Sequence, residues 1–253
     1  MKYSGIVLCG GLSSRMGRDK AWLPWQGRPL VSHVVEKLRE AVDEIVVVAA
    51  PDQKLPSLPA RIIRDRAPHL GPLAGIREGL ENIHNPFAFV TATDAPHLTG
   101  DFVRSMLSLN RSAALDVDGF VQTLSAVYSA EAGAVATRLL EAGRRRPLDL
   151  LEKVDFIKVD PDQVPHPESV RGFNSPEAYL EAVRQNDLDP FVKLLQESHP
   201  SQSLPIGTLS DVLRAASINP NEFDVHLDEK QIEGGLGIPV GPGETIRITP
   251  SGT

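Results

Sequence analysis

The amino-terminal stretch Gly5-Ile-Val-Leu-Cys-Gly-Gly-Leu-Ser-Ser-Arg-Met-Gly-Arg-Asp-Lys20 constrains the fold more than any other part of the chain. An apolar strand, Tyr3 to Leu8, empties into the adjacent glycines Gly10 and Gly11. The hydroxyls of Ser13 and Ser14 follow, then Arg15 and Lys20. Glycines let the backbone turn sharply and bring amide N–H groups close to an anion with no side chain in the way. Arg15 and Lys20 add fixed positive charge of the kind a triphosphate uses. The stretch reads as a phosphate cradle at the end of a first parallel strand. A strand followed by Gly-Gly also reads as a plain tight turn; the extension Arg15-Met16-Gly17 and Asp19-Lys20 favours the cradle. It is not a Walker A loop, because Met16 stands where the second glycine would be. Nor is it the dinucleotide fingerprint, because Leu12 follows the glycine pair directly.

Downstream, strands alternate with helices. Glu44–Ala50 and Phe87–Thr93 are continuous apolar runs, the pattern of parallel strands buried on both faces. Arg61–Arg64 is a shorter strand. Leu30–Ala41 is an amphipathic helix with Leu30, Val31, Val34, Val35 and Leu38 on one face, and Pro72–Ile83 is a second helix. This order implies a mostly parallel sheet with helices on both faces. Ligands of such sheets sit outside the carboxyl ends of the strands. Gly10-Gly11, Asp65 and Asp94 all fall there, so three distant segments are expected to converge on one crevice. Val117–Tyr128 reads as a further strand, Glu131–Ala142 as a helix, Phe156–Val159 as a last strand. Pro176–Gln185 reads as a helix capped from Asn174-Ser175.

The composition bounds the function. The 253 residues carry a formal charge of −7 and only 5% aromatic side chains, which argues against a broad nucleic-acid surface or a base-stacking platform. The single cysteine allows no disulfide framework and fits a reducing cytoplasm. No stretch is apolar for long enough to span a bilayer, so a soluble cytoplasmic protein without a membrane partner is expected. The seven histidines are scattered without ligand spacing.

Beyond about Asp187 the pattern becomes β-β-α-β-β. Phe191–Gln196 and Gln202–Ile206 read as a hairpin, Thr208–Ala216 as a helix with the capping sequence Thr-Leu-Ser-Asp, and Phe223–Leu227 and Thr245–Thr249 as strands. The expected division is residues 1–186 and 187–253.

Leu8-Cys-Gly-Gly, Ser14-Arg-Met-Gly17, Asp19-Lys20, Leu23-Pro24 and Gly27-x-Pro-Leu30 resemble the molybdenum cofactor guanylyltransferase family, that of molybdopterin-guanine dinucleotide biosynthesis protein A. The likeness continues at Asp65, Gly71-Pro-Leu-Ala-Gly75, Thr93-Asp-Ala-Pro96 and Phe173-Asn-Ser-Pro-Glu177, over roughly residues 1–185. Cys9 departs from it, since the family usually has alanine there. The resemblance implies a Rossmann-like α/β nucleotidyltransferase fold and the transfer of GMP from GTP to molybdopterin with release of pyrophosphate. Residues 189–253 resemble the β-grasp, ubiquitin-like sulfur carriers, such as the molybdopterin synthase small subunit and thiamine sulfur carriers, giving a small α+β module. The chain ends Pro250-Ser-Gly-Thr253 where carriers end Gly-Gly, so docking to a molybdenum cofactor enzyme is expected of it rather than carrier chemistry. An appended module of that kind would leave nucleotidyl transfer intact when the chain is truncated after Gln185.

By the same resemblance, Leu8, Cys9, Gly10, Gly11, Lys20, Asp65 and Asp94 bind GTP, and Arg15, Lys20 and Asp94 are catalytic. Asp94 also holds Mg²⁺. Gln122 and Asn174 face the pterin. Each has a plainer reading. Asp94 forms a turn with Pro96, Asp65 pairs with Arg64 or Arg66, and Lys20 is a solvated helix-end lysine. Arg144-Arg-Arg146 reads equally as a solvated patch or as a contact for the pterin phosphate. Cys9 reads as a small packing residue. Gly10, where cytidylyl relatives carry alanine, favours GTP, a smaller residue admitting the larger purine. A cytidylyl or sugar-phosphate nucleotidyltransferase of the same fold, or a non-catalytic nucleotide-binding scaffold that recruits a cofactor enzyme, are the alternatives.

Overall fold

A computed structural model describes residues 1–10, 15–66, 70–186, 190–197, 199–228, 230–232 and 235–250. The chain forms two compact units: Met1–Leu12 with Val31–Gly172, and Ser13–Leu30 with Phe173–Thr253. The units are therefore not a single cut along the sequence.

The first unit is built on a seven-stranded sheet. Its strands are β1 (Ser4–Leu8), β2 (Glu44–Ala49), β3 (Arg61–Arg64), β4 (Phe87–Ala92), β5 (Ala113–Val117), β6 (Phe120–Ser129) and β7 (Ile157–Val159), in the order β3-β2-β1-β4-β6-β5-β7. The pairs β3/β2, β2/β1, β1/β4 and β5/β7 are parallel, while β6 runs antiparallel to both neighbours. All five residues of β1 are buried, as the apolar run Gly5–Leu8 demands, and the one polar member, Ser4, is satisfied by Glu44. Its side chains alternate between two helical layers. A Cβ added at Gly5 would lie 3.1 Å from Leu38 of α1 (Leu30–Arg39). On the other face, Cβ atoms added at Gly75 and Gly79 of α2 (Pro72–Leu80) would lie 3.2 Å from Leu8 and 2.6 Å from Ile6. The two glycines let α2 lie flush against β1.

Two features differ from the expectation. The strand expected over Val117–Tyr128 is the second arm of a hairpin; Asp118 and Gly119, with φ of +51° and +83°, form the two-residue turn between β5 and β6. Asp-Gly is a strong signal for that turn. A helix not foreseen, α3 (Gly100–Leu107), opens at Thr99, whose hydroxyl accepts the Phe102 amide at 3.3 Å, and sets Phe102 edge-on to Phe89. Helices α4 (Ala132–Glu141) and α5 (Pro147–Lys153) complete the unit.

At the opposite end of the strands from the glycine turn, Glu44 gathers four donors: the Ser4 hydroxyl at 2.8 Å, the His84 amide at 2.9 Å, the His84 ring at 2.6 Å and Arg61 at 3.1 Å. Burial pushes its carboxyl up, but these donors prevail and hold it at about 2 instead of 4.5. A carboxylate depressed in the folded state contributes stability above the unfolded value and loses it as pH falls. Glu44→Gln is expected to lower the melting temperature at pH 7 by about 2–4 °C, the shift for roughly 1 kcal/mol in a chain of this length. The gap between wild type and variant should close as pH falls from about 4.5 toward 2. A gap that stays constant down to pH 3 would count against the linkage.

The second unit has a five-stranded sheet: β8 (Phe191–Gln196), β9 (Gln202–Pro205), β10 (Phe223–Leu227), β11 (Lys230–Gln231) and β12 (Thr245–Pro250), in the order β9-β8-β12-β10-β11. The first and last long strands, β8 and β12, are parallel neighbours at its centre; the other pairs are antiparallel. Helix α6 (Pro176–Asn186) starts at Ser175, whose hydroxyl accepts the Ala178 amide. Helix α7 (Leu209–Ala215) starts with the Thr208/Asp211 capping box that the sequence signals. The core joins Val192, Leu194, Leu209, Val212, Ile246 and Ile248 to Met16, Leu23, Trp25 and Leu30 from the amino-terminal motif. Trp25, Phe173 and Tyr179 pack in sequence, at centroid distances of 6.4 and 5.1 Å. The Tyr179 hydroxyl donates to the Pro24 carbonyl at 2.7 Å. Among the described residues, no helix is long and apolar enough to cross a membrane.

Candidate active site

In the first unit the sheet order reverses between β1 and β4, the position where open α/β sheets bind ligands at the carboxyl ends of their strands. Backbone hydrogen bonds tie the ends of four strands together there. The Cys9 and Gly10 amides both donate to the Val48 carbonyl, at 2.8 and 3.3 Å, and the Asp65 amide donates to Ala49 at 2.8 Å. On the other side the Thr93 amide donates to Leu8 at 3.2 Å. The Thr93 hydroxyl, 3.1 Å from the same carbonyl, lies equally close to the Cys9 sulfur. Leu8, Cys9, Gly10, Asp65 and Asp94 are thus gathered along one edge of one sheet.

The local reasons are specific. Gly10 is exposed, and a Cβ there would lie 3.4 Å from the Ala50 amide nitrogen, so the turn hugs the end of β2. Cys9 is buried, as a packing residue would be. Asp94 is half-buried at the turn that follows β4. Arg64 and Arg66, the ion-pair partners considered for Asp65, are engaged elsewhere. Arg64 donates to the Ala50 and Gln53 carbonyls at 3.0 and 2.7 Å, and Arg66 to Glu78 and Glu81 at 2.9 and 2.7 Å. Gln122 lies on β6, where its amide donates to the Phe120 carbonyl at 3.0 Å.

Two contributors were not singled out in the sequence. Gln53 donates to the Cys9 carbonyl at 3.2 Å and accepts the Ala50 amide at the same distance, bracing the glycine turn. Gly172 passes so close to Asp94 that a Cβ would collide with the Asp94 carbonyl oxygen. Only the folded chain reveals this, since a lone glycine between Arg171 and Phe173 carries no pattern.

Arginines 144 and 146 resolve toward a structural role. Both hold the buried Asp149, at 2.6 and 2.9 Å, and keep its carboxyl well below the usual range.

The second unit carries the rest of the motif. Arg15 is exposed. Lys20 opens a 3₁₀ turn, Lys20–Trp22, which Asp19 caps by accepting the Ala21 amide at 2.9 Å. The Lys20 ammonium donates to the Phe173 carbonyl at 3.0 Å and to Asn174 Oδ1 at 3.3 Å. Lys20 and Asn174, assigned to phosphate and pterin from the sequence, are therefore in contact. Gly11, Ser13 and Ser14 lie outside the described residues.

A glycine turn at the switch point of such a sheet, with an aspartate closing the neighbouring strand, defines a nucleotide-handling α/β protein. The MobA-like NTP transferase domain matches residues 5–155. A probable molybdenum cofactor guanylyltransferase of Mycobacterium tuberculosis is 38% identical over 165 residues, covering 62% of this chain and 82% of that protein. Its Mycobacterium avium counterpart is 36% identical over 168 residues, covering 63% and 85%. Among solved structures, molybdopterin-guanine dinucleotide biosynthesis protein A from Archaeoglobus fulgidus superposes with a TM-score of 0.61 at 21% identity, over 72% of this chain and 97% of that one. A 2-C-methyl-D-erythritol 4-phosphate cytidylyltransferase from Thermus thermophilus reaches 0.59 at 18% identity, over 74% and 100%. At such identities the two structures speak for the fold alone. The chain belongs to the MobA-like NTP transferase domain family, and it is a nucleotidyltransferase.

Proposed function

We propose that this chain transfers GMP from GTP to molybdopterin, giving molybdopterin guanine dinucleotide and pyrophosphate, as a cytoplasmic step of molybdenum cofactor biosynthesis. The observation that carries the reading is the joined ends of β1 and β4, with Gly10 and Asp94 beside them, in a chain 38% identical to proteins named for that reaction.

A phosphate oxygen of the acceptor attacks the α-phosphorus of GTP. The bond from that phosphorus to the bridging oxygen breaks, and pyrophosphate leaves. The protein's task is positioning and the neutralisation of charge on the phosphates. Leu8, Cys9, Gly10 and Gly11 border the nucleotide, and the small Gly10 admits a purine. Asp65 takes the base or ribose side. Arg15 and Lys20 hold phosphate oxygens as pyrophosphate departs, and Gln122 and Asn174 line the pterin side. Among the described residues, no group of three or more His, Cys, Asp or Glu could cage a metal ion. Magnesium needs no such cage, because it takes one or two carboxylates and fills its shell with waters and substrate phosphates. The half-buried Asp94 at its strand end fits that donor set. A bound ion would supply charge neutralisation on the phosphate oxygens.

In the same reading, residues 1–186 carry the nucleotidyltransferase chemistry and residues 187–253 supply a β-grasp fold that docks to a molybdenum cofactor enzyme, although residues 13–30 and 173–186 of the first stretch belong to the same compact unit as that fold. The parallel central pair β8/β12 with one packed helix supports the β-grasp part.

Calorimetric titration with GTP, CTP, ATP and UTP, with and without magnesium, tests the nucleotide. GTP should bind selectively and more tightly with magnesium. A preference for CTP would move the assignment to cytidylyl transfer, and no binding to any of the four would overturn it.

A further inference from the structure

Arg18, a charged residue of the amino-terminal motif, is not used by the proposed chemistry, yet its guanidinium is tied down on several sides. Its guanidinium meets Glu244 in a two-pronged ion pair, at 2.9 and 2.6 Å, and donates also to the Pro239 carbonyl at 3.1 Å. Glu244 is only 4% exposed and accepts the Gly241 amide at 2.7 Å. The contact spans 226 residues of sequence. Both flanks of Arg18 are fixed to the same unit. Met16 is buried in its core, and Gly17, at φ +65°, lies where a Cβ would be 2.6 Å from Ile238. Directly after Arg18 come the Asp19 cap and the turn that aims Lys20.

An ion pair this deeply buried adds little net stability, because desolvation offsets the attraction; what such a pair supplies best is registry. A two-pronged guanidinium–carboxylate contact fixes direction as well as distance. We infer that Glu244 is a positioning residue for nucleotide binding: through Arg18 it holds residues 15–22 in the one conformation that presents Arg15 and Lys20 to phosphate. The C-terminal module is then a clamp on the phosphate-binding segment. The inference rests on the reading of that segment as a nucleotide site.

In the full-length protein, Glu244→Gln removes the charge and keeps the shape. It is read out by GTP affinity in the presence of magnesium and, without ligand, by amide hydrogen exchange over residues 15–22. The variant should still melt cooperatively, exchange faster over 15–22, and bind GTP about tenfold more weakly, as follows if the competent fraction of the segment falls to about a tenth. Arg18→Gln should act alike, and the double variant should be no worse than either single one, because both remove one shared interaction. If Glu244→Gln fails to fold, the double variant Arg18→Met with Glu244→Met, which replaces the ion pair by apolar volume, carries the same two readouts.

A folded variant that binds GTP with the wild-type Kd, or two single effects that add, overturns the inference. Faster exchange in Glu244→Gln beside a wild type that binds no GTP overturns instead the nucleotide reading, and with it the positioning role, while the anchor itself stands.

Discussion

Truncation after Gln185 is expected to abolish nucleotide binding and leave a poorly soluble chain, the reverse of what an appended module implies. The reason lies in the core of the second unit. Met16, Leu23, Trp25 and Leu30 are at most 2% exposed, and they belong to one apolar cluster with Val192, Leu194, Leu209, Val212, Ile246 and Ile248. Each large apolar side chain gains about 1.5–3 kcal/mol on full burial. The four together therefore represent at most about 6–12 kcal/mol, comparable with the whole stability of an ordinary domain, about 5–15 kcal/mol. Phe173 and Tyr179 survive the truncation and keep part of this, but Arg18 loses both Glu244 and the Pro239 carbonyl, the contacts that fix its direction. The segment that carries Arg15 and Lys20 loses most of the surface it is built against. Size-exclusion chromatography, dye binding to exposed apolar surface and GTP calorimetry on the truncated chain check this. A monomeric truncation with wild-type GTP affinity would show that residues 15–30 hold their conformation by themselves.

Asp94→Asn should lower pyrophosphate release from GTP and molybdopterin on the order of 10²–10³-fold, the usual cost of removing one group aimed at charge in the transition state. Asparagine matches aspartate in shape, so the close approach of Gly172 and the hydrogen bonds of Thr93 to β1 are kept. Only the negative charge goes, and with it the affinity for a divalent cation. Asp94 is half-buried rather than deeply enclosed, so the melting temperature should change little. GTP titrations should lose their magnesium dependence. Turnover within threefold of wild type would remove Asp94 from the metal site. A large fall in melting temperature would instead assign it to the turn after β4.

Much of the first unit is legible residue by residue. Strands β1, β2 and β4 are almost wholly apolar, with Ser4 and Glu44 only at their starts and a buried Thr91 in β4, because both faces are covered, and such runs need no partner to be recognised. Strands β3 and β10 fall at the expected residues, and the capping sequences at Ser175 and Thr208 mark real helix starts. All of these signals are local: a period, a cap or a turn is written within a few residues. Helix α3 is not legible because its eight residues offer only two turns of pattern. The β5–β6 hairpin is hard to read because apolar residues flank its Asp-Gly turn closely on both sides, at Val117 and Phe120.

The site divides the same way. The glycine turn, Asp65 and Asp94 follow from a rule about strand ends that needs only the order of elements. The roles of Gln53, Gly172 and Glu244 do not, because each acts on a residue far along the chain, where nothing local records the meeting. By itself, the sequence determined a mostly parallel sheet with a nucleotide motif at the end of its first strand, since burial on both faces and glycine-dependent turns are imposed at the residues themselves. Only the tertiary structure decided that residues 15–30 belong to the core of the C-terminal unit. That choice depends on two surfaces, 226 residues apart at Arg18 and Glu244, matching in shape and charge, a match that exists only once both have folded.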